Sequence, residues 1–290
     1  MLCRQHEPLK YLLIAAQAAK FSALPPSVRS KRRSQRVYFS MQQSVYNADL
    51  SVAERLYGRL NVTTPEIYVH GMLDGWLYLV MSRISGVYLS DIWDTLDDES
   101  RLRIIIELAE VVAQLHAVPA DNMPLLGNNW LQTVARRIET CVQRHREQEV
   151  PDYWLEQIPA YLAYAAPLYP ANFMPAIVSG DIHQYHLLVS QENGRCRLKG
   201  LFDFDDALIG FQEYDLAVAG LFMMAGKPAL LRAFLLAYGH AEAEINERLR
   251  HRLMAYTLLH RYRPFNWVRE DFANDGCRTL EEVAKVIYAV

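Results

Sequence analysis

Between Val178 and Ala217 the chain reads VSGDIHQYHLLVSQENGRCRLKGLFDFDDALIGFQEYDLA, and the aspartates of this stretch are the residues whose spacing suggests chemistry. Asp181, Asp203, Asp205 and Asp206 stand in it, with Asp215 a little further on. Two carboxylates brought to one place suit a metal-assisted phosphoryl transfer. One accepts or orients a hydroxyl proton, and the other holds the cation that bridges the nucleotide phosphates.

The local pattern says how distant aspartates would meet. Leu187 to Val189 is a short apolar run, Asn193-Gly194 is a strong hairpin turn signal, and Arg195 to Phe204 alternates well enough to return antiparallel. Such a hairpin brings Asp181, just before its first strand, beside Asp203 near the end of its second. Asp181 follows Gly180 on a tight turn, where a base is well presented. Asp203 is expected inside the strand between Phe202 and Phe204, and a carboxylate facing a packed region is costly unless paired or metal-bound. Asp205 and Asp206 either support a metal shell or cap the next turn. Asp215 opens a helical run, where an aspartate also serves as a cap.

These residues carry a resemblance. S-G-D-I-H-Q-Y-H-L-L followed by F-D-F-D-D-A-L-I-G-F-Q-E-Y-D-L-A is similar, in order and spacing, to the catalytic segment of the aminoglycoside and hygromycin phosphotransferases, relatives of the choline kinases. The resemblance implies an α+β, two-lobe protein-kinase-like fold: a reduced lobe to about Arg83, with residues 1–36 hard to place, and a larger helical lobe over 84–290. It implies Asp181 as catalytic base, Asp203 as principal metal ligand, His186 in the second metal-ligand position and Asp215 as a brace of the catalytic loop. It also implies ATP with Mg²⁺ or Mn²⁺, a small hydroxyl acceptor that resembles an aminoglycoside and whose cationic character a mildly acidic protein would suit, and adenine contacts from the hinge around Val80, Met81, Ser82 and Ile84. His183 matches the family's loop histidine, a structural residue, and Ser179 stands where histidine is common. His186 replaces the usual asparagine. Imidazole suits transition metals better than magnesium, so Mn²⁺ is expected to serve at least as well as Mg²⁺.

The first part of the chain departs from that pattern. A kinase uses a glycine-rich loop and a strand lysine paired with a helix glutamate. Glu54 fits the glutamate, but the first glycine is Gly58, and the expected strand at Val37 to Met41 offers Ser40 and no lysine. Lys31, Arg32, Arg33 or Arg36 would have to supply the charge. The alternative function is therefore a degenerate relative that binds nucleotide without efficient turnover. A metal-dependent phosphoesterase, suggested by Asp181-Ile182-His183, lacks the later histidine cluster it needs.

Composition narrows the partners. A formal net charge of −3 offers no basic field for nucleic acid or anionic membrane. The cysteines Cys3, Cys141, Cys196 and Cys277 show no paired spacing, which reads as reduced thiols in a cytoplasm. No apolar run approaches a membrane span, and Tyr11 to Ala19 lacks the cleavage pattern of a signal peptide. The sequence makes no statement about oligomeric state.

Along the chain, Pro8 to Leu24 has helical spacing, Ser30 to Arg36 reads as a basic linker, and Ala53 to Leu60 as a helix. Glu66 to His70 and Trp76 to Met81 read as strands joined at Asp74-Gly75. Helices are expected over Leu102–His116, Trp130–Glu147, Tyr153–Tyr164, Ala229–Tyr238, Ile245–Tyr262 and Thr279–Ala289. His116 reads as a core histidine. Glu213, Glu270, Asp271 and Asp275 read as solvated surface or as the lining of a polyamine-like sugar pocket. Trp267 and Tyr262 read as core or as stacking platforms.

Overall fold

The computed structural model describes residues 33–39, 42–127, 129–166, 172–192, 194–262, 265 and 276–290, the first group by backbone alone. The Pro8–Leu24 helix, Lys31, Arg32, Ser40, Trp267, Glu270, Asp271 and Asp275 lie outside them.

A three-stranded antiparallel sheet begins the described chain, with β1 (Arg33–Phe39), β2 (Ile67–Leu73) and β3 (Trp76–Ser82) in the order β1-β3-β2. Asp74 and Gly75 both take positive φ, which is what a two-residue hairpin between twisted strands demands. The linker expected over Ser30 to Arg36 is corrected in part: Arg33 to Arg36 pair with Ser82 to Leu79. An open edge of β3 gains a full ladder of hydrogen bonds from this strand, which outweighs the solvation preference of the basic run.

Helix α1 (Gln43–Leu56) starts ten residues earlier than its apolar spacing suggests. It serves two cores. Tyr46 and Leu50 pack with Leu77, Leu79 and Met81 of the sheet, while Ala48, Val52, Ala53 and Leu56 join the main core. The following loop is stitched to the second half by Thr63, whose N–H donates to Lys199 O and whose carbonyl accepts from Leu201 N.

Past Ser82 the chain is mainly helical. After β4 (Val87–Tyr88) and the short α2 (Leu89–Ile92) comes α3 (Asp98–Ala117), opened by Asp97, whose carboxylate accepts from Ser100 N. Helix α4 (Trp130–Arg146) follows. The helix expected over Tyr153 to Tyr164 is two, α5 (Asp152–Leu155) and α6 (Ile158–Ala165). Pro159 lacks an N–H and is tolerated only in a first turn, so it marks the break. Then come β5 (Ala176–Val178), β6 (Leu187–Glu192), β7 (Arg195–Leu201) and β8 (Leu208–Gly210). Strands β6 and β7 form the expected hairpin, with Gly194 at φ +76°, and β5 pairs with β8.

Four helices complete the chain: α7 (Glu213–Met224), α8 (Pro228–Tyr238), α9 (Glu247–Leu259) and α10 (Leu280–Ile287). Helix α7 is apolar around almost its whole circumference and is buried accordingly. It is the fixed post against which the loop after β5 is held. Among the described residues, no helix is long and apolar enough to cross a membrane.

Candidate active site

The loop from β5 to β6 is held by a single buried carboxylate. Asp215, in the first turn of α7, accepts from Ser179 N at 2.9 Å and from Gly180 N at 2.7 Å. His116 Nε2 donates to the same carboxylate at 3.0 Å, and His116 Nδ1 accepts from Tyr238 Oη. Fully buried and accepting three hydrogen bonds, Asp215 braces the loop. Its helix is capped without its side chain. His116 is a satisfied core histidine, and the group it satisfies is the brace. Gly180 sits at φ +82°, and a Cβ there would lie 2.7 Å from Asp206 O. Only glycine fits.

The hairpin brings the expected base and the expected metal ligand to one imidazole. His186 Nδ1 lies 2.9 Å from Asp181 O and 3.8 Å from Asp181 Oδ2, while its Nε2 lies 3.4 Å from Asp203 Oδ2. A carbonyl oxygen only accepts, so Nδ1 carries the proton. Burial lowers the pKa of the ring, partly offset by the nearby Asp203 carboxylate. The neutral ring then presents its Nε2 toward the Asp203 carboxylate.

On the other side of Asp181, His183 Nδ1 accepts from Tyr185 N, so its Nε2–H faces Asp181 Oδ1 at 3.2 Å. Burial alone would raise the Asp181 carboxyl. The His183 hydrogen bond and the surrounding imidazoles outweigh it and hold the group below the ordinary carboxylate range. Ligand atoms of Asp181, His183 and His186 lie within 4.8 Å of one another.

Asp203 is not inside a strand, as its alternation suggests. Strand β7 ends at Leu201, and Asp203 takes φ +75°, a left-handed conformation that a non-glycine residue adopts at a cost. The bend is fixed on both sides. Phe202 N donates to His186 O, and Phe204 N donates to Asp49 Oδ1 at 3.3 Å. Asp49 is the buried acid of α1, whereas Glu54 is exposed on that helix. Because Asp49 lies before the stretch where the helical spacing becomes obvious, its buried position was not visible in the pattern.

The hinge residues divide. Val80 and Met81 lie in the central strand, paired with Gln35 and Val69 and with Ser34 and Ile67. Both are thus flanked by paired strands on either side, with the β2 register shifting between Ile67 and Val69. Ser82 N–H donates to Glu66 O, and Ser82 Oγ accepts from Glu66 N. Ile84 lies past the end of β3, on the chain that leaves the sheet. Arg33 and Arg36 sit on β1 opposite Ser82 and Leu79.

Beyond Asp203, the carboxylate of Asp206 is buried and pairs with Arg261, while Asp205 is half-buried. Both border a cavity of about 480 Å³ between α1, α4 and the chain after α9. His260 ties that chain to the loop: its Nε2 donates to Gly180 O at 3.0 Å and its Nδ1 accepts from Tyr262 N. Burial pushes the His260 imidazole down to about 4. Tyr262 lies partly exposed beside the Asp205, Asp181 and Asp203 carboxylates. Glu213 is buried and takes a bidentate pair from Arg252 at 2.7 Å. No local motif announces His260 as a neighbour of the loop, or Arg261 and the α4 residues Arg136, Arg137 and Arg144 as lining of the cavity.

The model of the phosphotransferase enzyme family matches residues 15–256. The chain belongs to that family. Solved structures agree in fold with this member. One is the GDP complex of wild-type aminoglycoside 2'-phosphotransferase-IIIa, 18% identical, with a TM-score of 0.59, covering 86% of this chain and 83% of that one. A second is the GDP and kanamycin complex of APH(2")-IIIa, 20% identical, TM-score 0.57, covering 84% of each chain. A third is a thermostable mutant of aminoglycoside phosphotransferase APH(4)-Ia with ADP and hygromycin B, 18% identical, TM-score 0.58, covering 89% and 86%. The fold is the two-lobe α+β architecture of the protein-kinase-like phosphotransferases, with a small sheet-bearing lobe and a larger helical one.

Proposed function

We propose that this family member is a small-molecule kinase that transfers the γ-phosphoryl group of ATP to a hydroxyl. The observation that carries the reading is the convergence of Asp181 and Asp203 on the two nitrogens of His186. The acceptor oxygen attacks the γ-phosphorus, the bond to the β–γ bridging oxygen breaks, and ADP leaves. The hydroxyl proton passes to the Asp181 carboxylate, which His183 orients and keeps ionised at neutral pH. The adenine lies against the chain past Ser82, with Ile84, rather than against the paired backbone of Val80 and Met81.

The donor set fits a divalent cation. His186 Nε2 and Asp203 Oδ2 would hold it, with Asp205 nearby, and an imidazole ligand favours Mn²⁺ over Mg²⁺. Bound there, such an ion supplies charge to the transferring phosphoryl group. The acceptor is a small alcohol. Aminoglycoside-like sugars, the class in the complexes of the solved relatives, are one candidate group and related alcohols another. Free buried thiols at Cys141, Cys196 and Cys277 suit a reducing cytoplasm.

The competing reading is a binding protein without efficient turnover, and the observation that favours it is β1, which carries arginine but no lysine. ADP release across a panel of amino sugars and other alcohols, with wild type and Asp181→Asn compared, separates the two. Acceptor-dependent release that the variant loses supports the kinase. Equal background from both proteins would leave only the binding reading.

A further inference from the structure

The cavity beside Asp205 and Asp206 has a charge that the solved relatives' cationic ligands do not lead one to expect. Its described lining includes four arginines, Arg136, Arg137, Arg144 and Arg261, against the two carboxylates, and Arg144 donates to the carbonyls of His260 and Arg261. One of those carboxylates, Asp206, is already paired with Arg261. Arg137 lines the cavity and is held in place without being neutralised. Its Nη1 donates to the hydroxyl of Tyr214 at 2.6 Å, and its guanidinium lies over the same ring, 5.1 Å from the centroid. Tyr214 is buried, and burial raises its pKa, so this partner is an uncharged phenol. Arg136 is exposed on the same helix and has no carboxylate partner among the described residues.

A guanidinium held by a neutral group keeps its charge and its remaining N–H donors for a ligand, and the planar fork of arginine matches carboxylate and phosphate oxygens. The cavity is of small-molecule size. It also adjoins the loop: the carbonyl of Asp206 packs directly on Gly180, the residue before Asp181, and His260, next to Arg261, donates to Gly180 O.

We propose that this cavity is the acceptor subsite and that it selects an anionic alcohol, one bearing a carboxylate or phosphate besides its reacting hydroxyl. The inference rests on the kinase reading for the hydroxyl at Asp181, and it replaces a polycationic sugar with an oxyanion as the specificity element. Arg137 and Arg136 grip that oxyanion while the hydroxyl faces Asp181.

The test uses the full chain with ATP and Mn²⁺ and follows ADP release with glycerate, glucose 6-phosphate, glucose and kanamycin. Turnover with glycerate or glucose 6-phosphate is expected to exceed that with glucose and kanamycin at least tenfold in kcat/KM. Whichever of the two anions leads identifies carboxylate or phosphate as the group recognised. In Arg136→Gln and Arg137→Gln the KM for that anion rises about tenfold or more, with kcat changed less, and Arg137→Lys recovers part of the loss. Arg136 is exposed, so its variant stays informative if Arg137→Gln fails to fold.

Preference for kanamycin, or an unchanged anion KM in Arg136→Gln and Arg137→Gln, overturns the proposal. Where no acceptor is turned over, the kinase reading fails separately, and calorimetry with glycerate and glucose 6-phosphate decides the subsite. Anion binding that Arg136→Gln weakens upholds it; kanamycin binding in its place, no binding of either anion, or anion binding unchanged in Arg136→Gln overturns it.

Discussion

Two regions meet at the Asp205-Asp206 turn, and their electrostatics are opposite. On one side the carboxylates of Asp181 and Asp203 face His186, the donor set proposed for a cation. On the other, arginines of α4 and Arg261 border a cavity, the one proposed to take an anion. A phosphoryl transfer to an anionic acceptor needs both, held apart, so that the acceptor's charge is met by guanidinium groups while the nucleotide's is met by a metal. The first region comes from one continuous stretch and the second from segments far apart in the chain. Each can be broken without the other.

The largest effect is expected at the base. Asp181→Asn lowers kcat by about 10²–10⁴, the usual contribution of general base catalysis, in an ADP-release assay. A variant as active as wild type would remove the first region from the chemistry. Next comes the brace. Asp215→Ala leaves the Ser179 and Gly180 N–H groups and His116 without their acceptor. Breaking such a buried network costs about 3–5 kcal/mol, read as a lower urea midpoint.

His260, which joins the two regions, gives a pH dependence. Its folded-state pKa, about 4, lies below that of the unfolded chain. Between those values the unfolded state binds more protons, so stability is full at neutral pH and falls as pH drops from about 6.5 toward 4. About 2 kcal/mol should be lost at this site between pH 7 and pH 5. In His260→Phe the urea midpoint starts lower but varies less over that range. An equally steep variant would assign the slope to other groups.

His186→Asn should weaken Mn²⁺ binding about 10–100-fold and bring Mn²⁺ and Mg²⁺ closer in affinity, as followed by calorimetry. Mg²⁺ bound more tightly than Mn²⁺ by the wild-type protein would remove His186 as a ligand. The smallest effect separates two acids of α1. Glu54→Gln on the exposed face changes stability by no more than about 0.5 kcal/mol, while Asp49→Asn loosens the Phe204 N–H and costs about 1 kcal/mol. The reverse order of effects, with Glu54→Gln the more damaging to turnover, would restore Glu54 to the site.

How much was legible depended on how local each determinant is. The β6–β7 hairpin and the nearness of Asp181 to Asp203 follow from alternation and a turn pair, both written within a few residues. The brace at Asp215 was readable through its motif. The role of β1 was not: a basic run looks like solvated linker until the empty edge of β3 is known. Nor was the bend at Asp203, since alternation continues through Phe204 while the strand stops at Leu201. Asp49 stayed hidden too, because it precedes the stretch of obvious helical spacing and its partner is a backbone N–H in the other half of the molecule.

By itself the sequence determined the chemistry the chain carries: which carboxylates and imidazoles sit on one hairpin, and in what order. Nearest-neighbour backbone preferences set those distances, and they act over a few residues. Only the tertiary structure decided what the site faces. The charge of a cavity is a sum over side chains from Arg136 to Arg261, and nothing short of the packed helices brings them to one place.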